Sequence, residues 1–336
     1  MTRRFETIAV IGAGAWGTAL AQTAARAGLK PILWAFEPAT VAEIVERRSN
    51  GVFLPGVALD PAIRATSDLA AAVGDADIVL AATPAQHLRA TLKRLPLAAG
   101  VPIVLATKGI ELGTGALMGS VAQEAAPGHP VAILSGPTFA REVALAQPTA
   151  VTLAARDAEL GRALAQALAT PRFRIYRNDD VIGAQVGGAV KNVVALGCGI
   201  VAGLALGDNA RAALMTRGLA EMVRLGLVLG GRAETLMGLS GLGDLALTCN
   251  NDQSRNMRFG RAIGRGLTPA QALADPALGL AHAVIEGVEG AASVGALARQ
   301  MAVDMPIVAA IGAILHQGAS VARTVEALLD RPLKEE

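Results

Sequence analysis

The sequence predicts a doubly wound, parallel α/β sheet over residues 1–178, followed by an all-α region over residues 179–336. Three observations carry that reading. A glycine-rich turn, Gly12-Ala13-Gly14-Ala15-Trp16-Gly17, stands between the apolar run Ile8-Ala9-Val10-Ile11 and the alanine-rich stretch Thr18 to Arg26. Short aliphatic or β-branched runs then alternate with helical segments as far as Asn178, the signature of a parallel sheet covered on both faces. From Val181 onward strand signals stop.

Taken in order, strands are expected at Thr7 to Ile11, Pro31 to Trp34, Ile63 to Thr66, Ile78 to Ala81, Ile103 to Ala106, Val131 to Leu134, Thr149 to Ala154 and Phe173 to Tyr176. The stretch Gly51 to Pro61 holds two prolines and two glycines and is expected as a surface excursion. Helices follow at Val181 to Gly197, Ala210 to Leu229, Met257 to Gly264, Thr268 to Ala274, Ala283 to Met301, Pro306 to Leu315 and Val321 to Leu328. A short helical piece, Thr235 to Met237, leads into a glycine turn. Thr268-Pro269 is an N-cap followed by proline at the first helical position.

The bulk composition narrows the function. A chain of 336 residues exceeds what one core usually fills, so two domains are expected. A net charge of +2 with 3% aromatic residues gives no basic field, which argues against a nucleic-acid partner. Cys198 and Cys249 lack any C-x-x-C or Cys/His spacing, so they are expected as reduced, buried thiols of a cytoplasmic protein, with no disulfide and no metal site. Arg3 and Arg4 precede an apolar stretch, but three glycines break it, so no secretory leader is expected. Ala184 to Gly207 is long and nearly uncharged, yet Lys191 and six glycines sit inside it. A close-packed helix pair in a protein core is therefore expected, not stable membrane insertion.

The chemistry begins at the glycine turn. Gly12 allows the tight turn, Gly14 lets backbone N–H groups approach phosphate oxygens, and Gly17 lets the helix pack on the sheet with its positive end facing the anion. In this strand–turn–helix setting the motif reads as the pyrophosphate site of a Rossmann-type dinucleotide domain. Ligands of open parallel sheets bind beyond the carboxyl ends of the strands, so the loops Ala82 to Pro84, Thr107 to Ile110 and Ser135 to Ala140 should carry function. Lys108 stands in the second of them.

Lys191-Asn192 lies in the least polar helix of the chain. An unpaired ammonium there would be costly, so Lys191 must face a cavity or a paired anion, or else snorkel out of a core helix. A lysine so placed suits proton exchange at an alcohol or carbonyl. Asp244, in the glycine-rich stretch Gly238 to Leu245, could orient that lysine or cap the next helix. Arg255 offers a planar fork for a phosphate or the cofactor, with Ser254 and Asn256 alongside; the plain alternative is a solvated loop.

Six segments together resemble bacterial NAD(P)-dependent glycerol-3-phosphate dehydrogenase: Gly12 to Leu20, Lys108-Gly109, Ser135 to Ala140, Lys191-Asn192, Gly241 to Leu245 and Ser254 to Asn256. They occur in the family's order and spacing across almost the whole chain. The resemblance implies reduction of dihydroxyacetone phosphate to sn-glycerol 3-phosphate for phospholipid synthesis, with NAD or NADP as cofactor and a phosphorylated triose as substrate. It implies that Lys191 exchanges the proton at the C2 oxygen, assisted by Lys108 and Asp244. Substrate contacts would be Lys108, Gly136, Thr138, Lys191, Asp244, Ser254, Arg255 and Asn256. Beyond the glycine turn, cofactor contacts would be Ala15, Trp16, Phe36, Lys108, Ala140, Arg255, Val284 and Glu286. A homodimer is expected from the apolar helices and the family.

Many relatives carry a basic residue after the second strand, whereas this chain reads Trp34-Ala35-Phe36-Glu37. Glu37 stands 20 residues beyond Gly17, where a carboxylate accepts the 2′-hydroxyl of NAD and repels the 2′-phosphate of NADP. Use of both cofactors with a weakened NADP preference is expected. The competing enzyme reading is a 3-hydroxyacid or 6-phosphogluconate type dehydrogenase, whose lysine and asparagine stand several residues apart; here Lys191 and Asn192 are adjacent. A non-catalytic redox sensor would leave Lys108, Lys191 and Asp244 without a task.

Overall fold

The computed structural model describes residues 5–280 and 284–332; Arg3, Arg4 and Ala283, the expected start of one helix, lie outside them. The chain forms two compact units: Met1–Lys108 with Ala116–Gln185, and Gly109–Gly115 with Val186–Glu336.

The first unit is built on eight strands: β1 (Thr7–Ile11), β2 (Lys30–Trp34), β3 (Arg64–Thr66), β4 (Ile78–Ala81), β5 (Ile103–Leu105), β6 (Val131–Ser135), β7 (Thr149–Ala155) and β8 (Phe173–Asn178). They stand in the order β3-β2-β1-β4-β5-β6-β7-β8, the doubly wound arrangement in which the strand order reverses beside β1. Successive residues of a strand point to opposite faces. Ile8 and Val10 accordingly enter one core, and Ala9 and Ile11 the other.

In one place the structure departs from expectation. β7 pairs antiparallel with β6, Ser135 facing Thr152, so β7 and β8 run against the other six strands. The connection holds only the five-residue helix Ala140–Ala144, whose carbonyls at Val143 and Ala144 accept from the Arg26 guanidinium. Lacking a full crossover helix, the chain re-enters the sheet from the end at which it left. The stretch Gly51 to Pro61 runs over the surface as expected, and it also covers the core. Leu54, Val57 and Leu59 are buried, and the Asn50 amide donates to Ala13 O and Thr18 Oγ1, each at 2.8 Å.

From Val181 onward the described chain is helical. The helix Val181–Gly203 is long and apolar enough to cross a membrane, but 89% of its most apolar window is buried within the protein. Its glycines explain that burial. A Cβ on Gly199 or Gly203 would stand 2.4 Å from Met257 O or Arg261 O, and one on Gly260 or Gly264 would stand 2.1 or 2.4 Å from Leu196 O or Ile200 O. Each helix of this pair presents glycines four residues apart to the other's backbone, so the two approach more closely than any side chain would allow.

A buried carboxylate fixes another junction. Glu221 is 1% exposed and accepts from Ile307 N at 2.7 Å and Val308 N at 3.1 Å, in the first turn of the helix Pro306–Gln317. Burial outweighs those two bonds and pushes its pKa from 4.5 up to about 7. The folded state therefore holds a proton that the unfolded chain releases at lower pH. The stability this confers is complete below 4.5 and is lost as pH rises through about 7. Thermal melting from pH 4.5 to 8 should show wild-type stability declining relative to Glu221→Gln, by at most about 1.4 kcal/mol per pH unit for one proton. Parallel curves would remove Glu221 as the cause.

Candidate active site

In the first unit the glycine turn has the geometry that a dinucleotide needs. Gly12 sits at φ +113°, and a Cβ there would stand 3.0 Å from the Ala82 backbone. A Cβ on Gly17 would be 1.8 Å from Gly12 O, whereas one on Gly14 would meet nothing within 4 Å. The two outer glycines are thus filled in by protein, and the middle one faces open space. No side chain caps the helix Ala15–Arg26 at Gly14, which leaves its N-terminal field for a ligand anion. Trp16 Nε1 and Thr83 Oγ1 are buried polar atoms without a hydrogen-bond partner. Those unpaired atoms and the open space at Gly14 fit a bound dinucleotide.

The loops beyond the strands converge on one another. Thr107 Oγ1 donates to Thr83 O at 2.8 Å, joining the loops after β4 and β5. Lys108 Nζ donates to Gly136 O at 3.5 Å, and Thr138 Oγ1 donates to the same carbonyl at 3.3 Å. Gly136 is held at φ +148° with its Cβ position 3.0 Å from Val151 Cα, so glycine is required there. Lys108, Gly136 and Thr138 form one cluster, and Ala140 opens the helix that follows it. At the end of β2, Phe36 is 72% exposed and stands edge-on to Trp34 with ring centroids 6.3 Å apart. Glu37 is exposed at the N-cap of the helix Pro38–Arg47. Arg48, just past the end of that helix, donates through Nη1 to Ile63 O at 2.9 Å.

In the second unit Lys191 is 6% exposed and Asp244 is fully buried. Lys191 Nζ lies 2.5 Å from Asp244 Oδ1 and 3.1 Å from Thr248 Oγ1. Of the alternatives open in the sequence, the paired anion is the one realised. Thr248 donates its own proton to Asp244 O at 2.6 Å, which leaves a hydroxyl lone pair for the ammonium. Gly187, one helical turn before Lys191, brings the lysine helix against the backbone at Ser240, where a Cβ would stand 2.2 Å from the carbonyl oxygen. A π-helical turn, Leu239–Gly243, then delivers Asp244 into the next helix.

Beside this pair the polar groups form a chain. Asn192 Nδ2 donates to Glu286 Oε2 at 2.7 Å, Asn256 Nδ2 donates to Asn192 Oδ1 at 2.9 Å, and Asn256 Oδ1 accepts from Gly287 N at 2.9 Å. Ser254 caps the helix Arg255–Gly264 by accepting from Met257 N at 3.2 Å. Arg255 is the exposed first residue of that helix, and Val284 is partly exposed just before Glu286. Behind the ion pair, a hydrogen bond to Cys198 and burial push the Cys249 thiol well up, and both cysteines are free.

Sequence reasoning missed Thr248 and Asn50. Thr248 had a signal, since it stands four residues after Asp244 on the same helical face. Asn50 had none, because its partners are backbone and hydroxyl groups more than 30 residues away.

Comparison with known proteins places these features in one family. The family model "NAD-dependent glycerol-3-phosphate dehydrogenase N-terminus" matches residues 7–168, and its C-terminal counterpart matches residues 180–326. The chain is 55% identical over 334 residues to glycerol-3-phosphate dehydrogenase [NAD(P)+] of Caulobacter vibrioides, covering 99% of each chain. It is 54% identical over 338 residues to the same-named protein of Rhodospirillum rubrum, covering 100% of this chain and 95% of that one. Among solved structures, glycerol-3-phosphate dehydrogenase from Coxiella burnetii superposes with a TM-score of 0.92 at 41% identity, over 97% of this chain and 99% of that one. If the glycine turn binds the dinucleotide, Gly17→Ala should weaken NADH affinity, measured by calorimetry, by more than tenfold, or about 1.4 kcal/mol. Unchanged affinity would place the cofactor elsewhere.

Proposed function

Because the chain belongs to the NAD-dependent glycerol-3-phosphate dehydrogenase family, we propose that it reversibly reduces dihydroxyacetone phosphate to sn-glycerol 3-phosphate, for glycerophospholipid synthesis. The observation that carries this reading is the buried Lys191–Asp244 pair with Thr248 at its side. The reaction adds a hydride to C2 and a proton to its oxygen. The bound nicotinamide cofactor supplies the hydride.

Lys191 donates the proton to the C2 oxygen and recovers it in the reverse direction. Asp244 and Thr248 hold the ammonium in one orientation, so little reorganisation accompanies the transfer. Lys108 adds positive charge for the developing alkoxide, with Gly136 and Thr138 as further substrate contacts. Arg255 and Asn256 grip the substrate phosphate, joined by Ser254 at the cap of the same helix. Ala15, Trp16, Phe36, Ala140, Val284 and Glu286 contact the cofactor, as do Lys108 and Arg255. In this reading residues 1–178 hold the dinucleotide, residues 179–336 carry the proton-transfer group, and the enzyme works as a cytoplasmic homodimer.

Lys191→Ala should lower turnover by at least about a thousandfold, within the range of lost general acid–base catalysis, while NADH affinity stays within twofold. Retained turnover would overturn the assignment, and a chain with no activity on dihydroxyacetone phosphate at all would return the redox-sensor reading. Glu37, exposed beyond β2, is proposed to temper the preference for NADP. The ratio of kcat/KM for NADPH over NADH should lie near unity and rise about tenfold or more in Glu37→Gln, when a like charge no longer faces the 2′-phosphate. A strong NADPH preference in the unaltered enzyme would sink the idea.

A further inference from the structure

We propose that Arg258 is a second guanidinium of the substrate-phosphate site, acting beside Arg255 to select a phosphorylated triose over its unphosphorylated counterpart. The inference rests on the assignment of Arg255 to that phosphate.

The residue is unusual for a helix arginine. It is half-buried, and its Nε is a buried donor without a hydrogen-bond partner. Its Nη1 donates to the Asp252 carbonyl at 3.2 Å, a neutral acceptor. The Asp252 carboxylate is instead engaged by both terminal nitrogens of Arg261, at 3.1 and 2.6 Å. Burial, and then the neighbouring charge of Arg255, push the Arg258 pKa down, and Asp252 only partly opposes them. Two guanidiniums thus repel each other in the first turns of one helix, at its positive end. Like charges held close at a partly dry site are destabilising unless an anion joins them.

A triose phosphate supplies that anion. Its phosphate carries close to two negative charges at neutral pH, enough to balance both arginines, and planar guanidinium donors match phosphate oxygens in geometry. Dihydroxyacetone, with the same carbonyl and no phosphate, would gain nothing from Arg258.

The test compares kcat/KM for dihydroxyacetone phosphate with kcat/KM for dihydroxyacetone in the full-length enzyme and in Arg258→Gln, Arg258→Lys and Arg255→Gln. The ratio should fall at least tenfold in Arg258→Gln, carried by KM for the phosphorylated substrate, and recover most of that loss in Arg258→Lys. The KM for NADH should move less than twofold. Equal losses on both substrates would make Arg258 a structural residue, an effect confined to NADH would make it a cofactor contact, and either result overturns the proposal. A ratio that falls in Arg255→Gln but not in Arg258→Gln rejects Arg258 alone. If Arg255→Gln leaves the ratio unmoved, the phosphate assignment itself fails and this inference with it.

Discussion

A single ion pair in an apolar interior, Lys191 with Asp244, sets terms that the helical unit has to meet. Moving an ammonium and a carboxylate out of water is costly for each, and their attraction repays it only in good geometry with the remaining donors and lone pairs engaged. That requirement explains the local backbone. Gly187 lets the lysine helix touch the Ser240 carbonyl region, and Gly241 passes so close to Leu236 O that a Cβ would stand 1.9 Å away. A larger residue at Gly187 would push the lysine helix off the Ser240 backbone, and one at Gly241 would clash within the turn that leads to Asp244. Such a buried ion pair adds little net stability. Stability alone therefore does not account for its place in the core.

The first unit solves a related problem with backbone alone. Phosphate recognition at the glycine turn needs N–H groups left unsatisfied by protein, and those groups are tolerable only if everything around them is fixed. Asn50 does that fixing from behind, holding Ala13 O and Thr18 Oγ1 at once. The loops after β4, β5 and β6 are tied in the same way, through Thr107 to Thr83 O and through Lys108 to Gly136 O. The loops that the proposed function uses therefore hydrogen-bond to other loops and are anchored by largely buried strands.

How much of this was legible in the sequence follows from the range of each interaction. Strands announced themselves because a sheet covered on both faces demands continuous apolar runs; all eight lie within two residues of where the sequence puts them. The direction of β7 was not legible, since an apolar run reads the same either way and the short Ala140–Ala144 helix gave no sign of failing to cross the sheet. Lys191 stood out as a charge among apolar neighbours, and Asp244 as a carboxylate among glycines. Arg258 was hidden for the opposite reason. An arginine among Ser254, Arg255 and Asn256 looks like any solvated helix face, and only the commitment of Asp252 to Arg261 shows that its charge lacks a carboxylate of its own.

The two cysteines complete the electrostatics of the Lys191 pocket. Cys249 lies near both members of the ion pair, and as a thiolate it would compete with Asp244 for the ammonium. Lys191 favours that thiolate, but the hydrogen bond with Cys198, burial and the charge of Asp244 oppose it, and the net shift is well upward. The thiol therefore stays neutral. With the thiol neutral, Asp244 keeps its hold on the Lys191 ammonium, and Asp244 and Thr248 together orient it. The Lys191 ammonium is thus positioned by electrostatics, as the glycine turn is positioned by packing on the sheet.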